Sequence, residues 1–451
     1  MKKYYEKIVP NESGSTIYET AAYLCSVQRD NNFYLYENND CVSVGVEIYS
    51  EIIVTAEEIV IKRESAGQSI KVFDLCRDLD DLFKSIDVDS WRAYGIANFG
   101  LARYIYGLNV GTETGELLHL IIPDREYRVS KDTILLRALN KDDIKTMEKN
   151  IFNVFPGGGR EENVTFYDGK EVLLFDEEYY KDIVGLAVKE IDNKKYQKVI
   201  LSRKIPVQSR LDMLQTYIHG RYRNTPARSY FYSFTDLEVT GFSPETIAEI
   251  DASGTVYTFP LAGTRALTGD SKTDKNLKQE LLHDPKEIAE HAISVRLAAE
   301  ELEQVCVPGS AVVTEFMSVM ERGTVQHLGS RLRGKLSAEY NPWHAFFKLF
   351  PAVTASGIPK KEAIEAIGRI EKDARNLYSG GVLTYDSDGT LDAALVLRTI
   401  FQNKEETWVR VGAGIVDMSN PERELEETRE KVSSIAGQLV EEQQQYLQLS
   451  V

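Results

Sequence analysis

Two short turns, Asp251-Ala-Ser-Gly254 and Asp386-Ser-Asp-Gly389, constrain this chain most, because each folds one strand-like run back antiparallel on another. The first joins Thr246–Ile250 to residues 255–259. The second joins residues 380–385 to residues 391–401, an apolar run that ends its Ala393-Ala-Leu-Val-Leu segment at Arg398. Further strands are expected at 33–36, 42–48, Lys198–Val207, 229–234 and 407–411, the last ending in Gly412-Ala-Gly414, a glycine pair that could let the chain turn. Helical periodicity appears over 75–86, 183–191 and 211–221. Antiparallel strands interleaved with long helices predict an α+β fold, a large antiparallel sheet core flanked by helices, rather than a parallel doubly wound sheet. No G-x-G-x-x-G or Walker pattern supplies a nucleotide cradle.

Neither low-complexity tract, repeat nor Pro/Ser-rich linker divides the 451 residues, so a single unit over 1–451 is expected. Its motifs are dense over 180–451, and 1–180 is expected to complete the sheet core. With 53 Lys+Arg against 70 Asp+Glu the net charge is −17, which repels nucleic-acid phosphates and anionic membrane surfaces. An anionic small substrate remains compatible, because a local cluster of cations dominates a cavity once bulk charge is screened. The start, Met-Lys-Lys-Tyr-Tyr-Glu-Lys, lacks a signal peptide's apolar core, and no run of eighteen apolar residues occurs, so a cytoplasmic location is expected. The four cysteines show no zinc-site spacing and read as isolated thiols.

Two helices carry paired carboxylates. Asp284-Pro-Lys-Glu287 is a helix start with Asp as N-cap, Pro at the first helical position and Glu287 placed to close a capping box. Ile288, Ala292, Val295, Ala299 and Leu302 form the expected buried stripe, with Glu287 and Glu290 beside it. Asn420-Pro421 opens a second helix whose apolar side is Leu425, Val432, Ile435 and Leu439, with Glu424, Glu427 and Lys431 in one sector. By spacing alone these carboxylates suit solvated helix faces, or ligands of one divalent ion that takes hard oxygen donors.

The ordered motifs carry a resemblance. Lys198-Val-Ile-Leu-Ser-Arg203, Gly241-Phe-Ser-Pro-Glu245, Pro260-Leu-Ala-Gly-Thr-Arg265, Asp284-Pro-Lys-Glu-Ile-Ala-Glu-His291, Val325-Gln-His-Leu-Gly-Ser330, Phe350-Pro-Ala-Val-Thr-Ala-Ser-Gly357, Leu377-Tyr-Ser-Gly380, Leu391-Asp-Ala-Ala-Leu-Val-Leu-Arg398, Gly412-Ala-Gly414 and Glu424-Leu-Glu-Glu427 stand in the order seen in chorismate-utilising enzymes. Within that superfamily the chain resembles the salicylate synthases, densely from about Lys198 to Lys431.

The resemblance implies a magnesium-dependent reaction on chorismate. Water adds at C2 as the C4 hydroxyl leaves, giving isochorismate, and elimination of pyruvate then yields salicylate, which in this family usually feeds siderophore assembly. An isochorismate synthase stopping after the first step is the alternative. Lys198 matches the water-activating base and Glu245 the acid that protonates the departing hydroxyl. Alanine at 262 leaves no nucleophilic lysine of the kind aminodeoxychorismate synthases use, and Lys198 argues for water over ammonia as nucleophile.

His327 matches a residue near the ring and the departing pyruvate, although taken alone a histidine there is more often a satisfied sheet residue. Gly263, Thr264 and Gly414 are expected beside the substrate as backbone or hydroxyl donors. Tyr378 and Arg398 match ligands of the enolpyruvyl carboxylate, with a structural salt bridge the alternative for Arg398. Lys431 matches a substrate-carboxylate ligand or forms a plain i,i+4 pair with Glu427. Glu287, Glu290, Glu424 and Glu427 are the implied Mg2+ ligands. Chorismate and isochorismate are the implied partners of a monomer or homodimer.

Overall fold

The computed structural model describes residues 1–27, 32–63, 66–109, 115–154 and 164–443. At its centre two long strands, Cys41–Val54 and Leu118–Val129, pair antiparallel from Val42↔Val129 to Val54↔Leu118. Two antiparallel runs leave this pair. One passes through Phe33–Asn38, Arg228–Phe234, Leu237–Ser243, Thr399–Gln402 and Thr407–Ile415 to Lys198–Val207. The other passes through Arg92–Ala97, Gly381–Asp386, Leu391–Leu395, Thr246–Ile250 and Thr255–Thr258 to Val325–Lys335, whose first half pairs with Leu261–Ala266. Residues before 130 thus supply strands to both runs. Among the described residues the only parallel ladder is the short pair Lys2–Lys3 with Val88–Asp89. The fold is α+β, and both hairpin turns join the strands they were expected to join.

Strand period explains how a buried strand offers chemistry on one side only. Side chains alternate, so Val199 and Leu201 enter the hydrophobic core while Lys198 and Ile200 face a cavity. The partner strand aligns Gly414 with Ile200 and Gly412 with Ser202 on that same face.

Four expectations are corrected. The run 391–401 is two strands, Leu391–Leu395 and Thr399–Gln402, with different neighbours; the chain crosses between the two sheet runs at 396–398, where Arg398 takes a left-handed φ of 50°. A non-glycine residue held there is strained, and the surrounding pairings must hold it. Gly412-Ala-Gly414 is no turn but lies inside the strand Thr407–Ile415. A Cβ at Gly412 would sit 2.4 Å from the Leu201 carbonyl oxygen, and one at Gly414 2.5 Å from Glu290 Oε1, so close approach is the reason for glycine.

The helix Pro285–Glu303 is rotated from its expected stripe: its buried face is Glu287, Glu290, His291, Ser294, Val295, Ala298, Glu301 and Leu302, with Ile288, Ala292 and Ala299 only half-buried. Asp284 caps it by accepting from the Lys286 and Glu287 N–H groups, but Glu287 does not reach back to complete a capping box. Glu287 instead accepts from the Thr264 N–H at 3.1 Å. No helix among the described residues is long and apolar enough to cross a membrane.

Candidate active site

The two sheet runs and the two acidic helices enclose one cavity, and every expected site residue except Glu287 and Glu424 lines it. Lys198 enters from the start of its strand with no exposed surface, its Nζ 2.9 Å from Glu290 Oε1 and 3.1 Å from Ser294 Oγ. Glu245 lies between two strands, held by Leu261 N–H to Oε2 (2.7 Å) and by the Thr354 hydroxyl to Oε1 (2.5 Å). Burial pushes its carboxyl up to about 7, against the lowering effect of those hydrogen bonds and of Lys198 and Arg398. A carboxyl that titrates there still holds a proton near neutrality, as a general acid must.

His327 lies opposite Thr264 in the sheet register. Its Nδ1 is 3.0 Å from Thr264 Oγ1, and its Nε2 accepts from Arg398 Nη2 at 2.5 Å. Burial, then the charges of Arg398 and Lys431, drive its pKa well below the usual imidazole value, so it is a neutral ring. It is a satisfied sheet histidine and a cavity wall at once.

Arg398 forms no salt bridge among the described residues, which removes the structural alternative. Its contacts are the His327 ring and the Arg322 carbonyl at 3.0 Å. Burial, with Arg322 adding, lowers its pKa to about 9. A buried guanidinium without a carboxylate is costly, a cost that an anionic ligand in the cavity would offset. Lys431 does form the i,i+4 pair with Glu427, at 2.7 Å, and also donates to the Gly412 carbonyl while lining the cavity. Gly263 sits at a bulge in its strand with φ 86°, where a Cβ would lie 3.2 Å from Glu287 Oε2. The Thr264 N–H is committed to Glu287, leaving its hydroxyl at the His327 side of the cavity.

The four carboxylates expected as ligands converge from two helices. Lys286 Nζ stands among them, 3.3 Å from Glu424 Oε1, 3.5 Å from Glu287 Oε1 and 3.8 Å from Glu290 Oε2. Burial, with the Glu427 charge adding, pushes Glu287 and Glu424 up. Burial acts the same way at Glu290 and Glu427, but Lys198 and Lys286 outweigh it at Glu290, and Lys431 and Lys286 at Glu427, holding both below the usual range. Glu424 Oε2 is buried with no hydrogen-bond partner among the described residues, although the Ser419 hydroxyl acts on the same carboxyl. All four are hard oxygen donors of the kind a divalent cation takes, but with Lys286 standing between them no three bring oxygens within 4.8 Å of one another among the described residues.

Four residues escaped the sequence reading. Ser294 carried a legible signal, one turn beyond Glu290 on the same helix. Thr354 and Lys286 lay within quoted motifs without a role, and Arg410 interrupts an apolar strand. Arg410 lines the cavity while Glu371, Ser202 and the Ala374 carbonyl tie it down, and Glu371 also grips Arg375 beside Tyr378.

A buried lysine and carboxylic acid, a guanidinium without a carboxylate partner among the described residues and an acidic cluster share one site on an α+β scaffold, an arrangement suited to moving protons on an anionic ligand. The family described as chorismate binding enzyme matches residues 30–437. The chain is 47% identical over 430 residues to the salicylate synthase of Mycolicibacterium paratuberculosis, across 94% of this chain and 93% of that protein. It is 35% identical over 272 residues to anthranilate synthase component 1 of Saccharolobus solfataricus, across 60% of this chain and 63% of that one. The solved menaquinone-specific isochorismate synthase from Escherichia coli superposes with a TM-score of 0.72 at 20% identity, over 97% of this chain and 95% of that one. The chain belongs to the chorismate binding enzyme family.

Proposed function

We propose that this enzyme converts chorismate to salicylate and pyruvate through isochorismate, with Mg2+ held by Glu287, Glu290, Glu424 and Glu427, and that the salicylate enters siderophore assembly. The observation that carries the reading is Arg398, a buried guanidinium lacking a carboxylate partner among the described residues, in a cavity that also holds Lys198 and Glu245. Chorismate brings two carboxylates. Arg398, with Tyr378, takes the enolpyruvyl carboxylate, and Lys431 faces the other from the acidic side.

When bound, the divalent ion would neutralise the four carboxylates and hold the ring carboxylate. In its neutral amine form, with its ammonium proton given up, Lys198 takes a proton from water, whose oxygen bonds to C2. The C4 hydroxyl leaves as water with the proton of Glu245. Glu290 connects the two ends of this arrangement, one oxygen on Lys198 and the other toward the acidic cluster. Elimination of pyruvate then makes the ring aromatic, with His327 as a neutral wall beside the departing group.

Incubating pure protein with chorismate and MgCl2 is expected to give salicylate fluorescence and an equal amount of pyruvate. Isochorismate accumulating without pyruvate would limit the enzyme to the first step. Because Glu245 must carry its proton to act, kcat/KM is expected to fall as pH rises through about 7; a profile flat to pH 9 contradicts its role as acid. Arg398→Ala is expected to raise KM for chorismate by roughly 10- to 100-fold, the worth of charge-assisted hydrogen bonds to one carboxylate. An unchanged KM would remove Arg398 from substrate recognition.

A further inference from the structure

The ammonium of Lys286 sits between the two acidic helices, in contact with three of the four carboxylates of the acidic cluster. It is drawn from one helix, within 4 Å of Glu287 and Glu290 of that helix and of Glu424 of the other. The fourth carboxylate, Glu427, pairs with Lys431 at 2.7 Å. The placement is not favoured locally, since Lys286 lies in the first helical turn, where the helix dipole repels a cation. The carboxylates alone hold it there. Its side chain is 17% exposed, so a path to solvent exists.

We propose that Lys286 is a tethered counterion that closes the divalent-metal site of the substrate-free enzyme and must swing out before a metal ion enters. The proposal rests on the reading of the acidic cluster as that site. An ammonium and a divalent ion repel each other at such distances, so the two cannot share the cluster. With the lysine inside, the buried carboxylates are partly neutralised and the protein folds without metal. Metal then binds with an affinity reduced by the fraction of molecules whose lysine has left. Lys286 thereby tunes metal affinity downward and makes metal entry an exchange of cations instead of a simple addition.

Two measurements on substrate-free protein test this. In calorimetric titrations with MgCl2, Lys286→Met is expected to bind at least about tenfold more tightly than wild type, with Lys286→Arg staying near wild type. The metal-free Tm of Lys286→Met is expected to fall below that of wild type and to recover with Mg2+. In wild-type protein, Mg2+ is expected to speed acetylation of Lys286 by an amine-reactive label read by mass spectrometry, a readout that does not depend on the variant folding. Unchanged or weaker Mg2+ binding by Lys286→Met, or labelling that Mg2+ leaves unchanged or slows, overturns the counterion role while leaving the metal site in place if Glu427→Gln still weakens binding. Absence of Mg2+ binding in wild type and Lys286→Met alike defeats the metal-site reading itself.

Discussion

Lys198→Ala is expected to lower kcat for water addition by roughly 10²–10⁴-fold, the usual contribution of a positioned general base, with KM for chorismate little changed. The separation of effects follows from geometry. Lys198 Nζ contacts Glu290 and Ser294, whereas the unpaired guanidinium available to a substrate carboxylate belongs to Arg398, on a different element. Truncation also leaves Glu290 without one of its two cations, so circular dichroism should accompany the kinetics to show that the variant folds. Turnover close to wild type in a folded Lys198→Ala protein removes Lys198 from the mechanism. Lys198→Gln is the companion: it retains a polar head near Ser294 and Glu290 but cannot take a proton from water. Gain of an ammonia-dependent product in that variant would show that position 198 selects the nucleophile.

Glu427→Gln is expected to weaken Mg2+ binding by more than about tenfold, since even partners behind a metal's ligands cost 10–100-fold when lost. Activity at fixed Mg2+ should fall in parallel. Glu427, like Glu290, is held in its charged form: against its burial, Lys431 and Lys286 keep its carboxyl well below the usual range. Glutamine keeps its shape and removes that charge, leaving the Lys431 ammonium facing an amide 2.7 Å away in place of a carboxylate. A magnesium titration that superposes on wild type would show that Glu427 is not a ligand.

Much of the framework was legible because its signals are local. Asp284 and Asn420 cap their helices, as a short polar side chain before a proline does wherever it occurs. The hairpins at 251–254 and 386–389 follow from turn chemistry, and Lys198–Val207 has the bounds that its residues imply. Arg398 was less legible. Its neighbours read as one strand through residue 401, because Val396 and Leu397 are as apolar as the residues before them. The break arises where the chain leaves one sheet run for the other, a choice made by partners more than a hundred residues away.

Amino-acid order alone determined the helix starts at Asp284 and Asn420, the two hairpin turns, and which residues belong to a chorismate-enzyme pattern, since these depend on neighbours a few positions apart. The tertiary structure decided which face of the helix Pro285–Glu303 is buried, where Arg398 points, and that Lys286 stands among the carboxylates. A stripe of Ile288, Ala292 and Ala299 is the hydrophobic choice for an isolated helix. Glu287, Glu290 and Ser294 turn inward instead because Arg265, Lys198 and the Thr264 N–H, all from other elements, meet them there. A buried carboxylate is tolerable only beside the cation or donor that compensates it, and the fold alone brings those partners together.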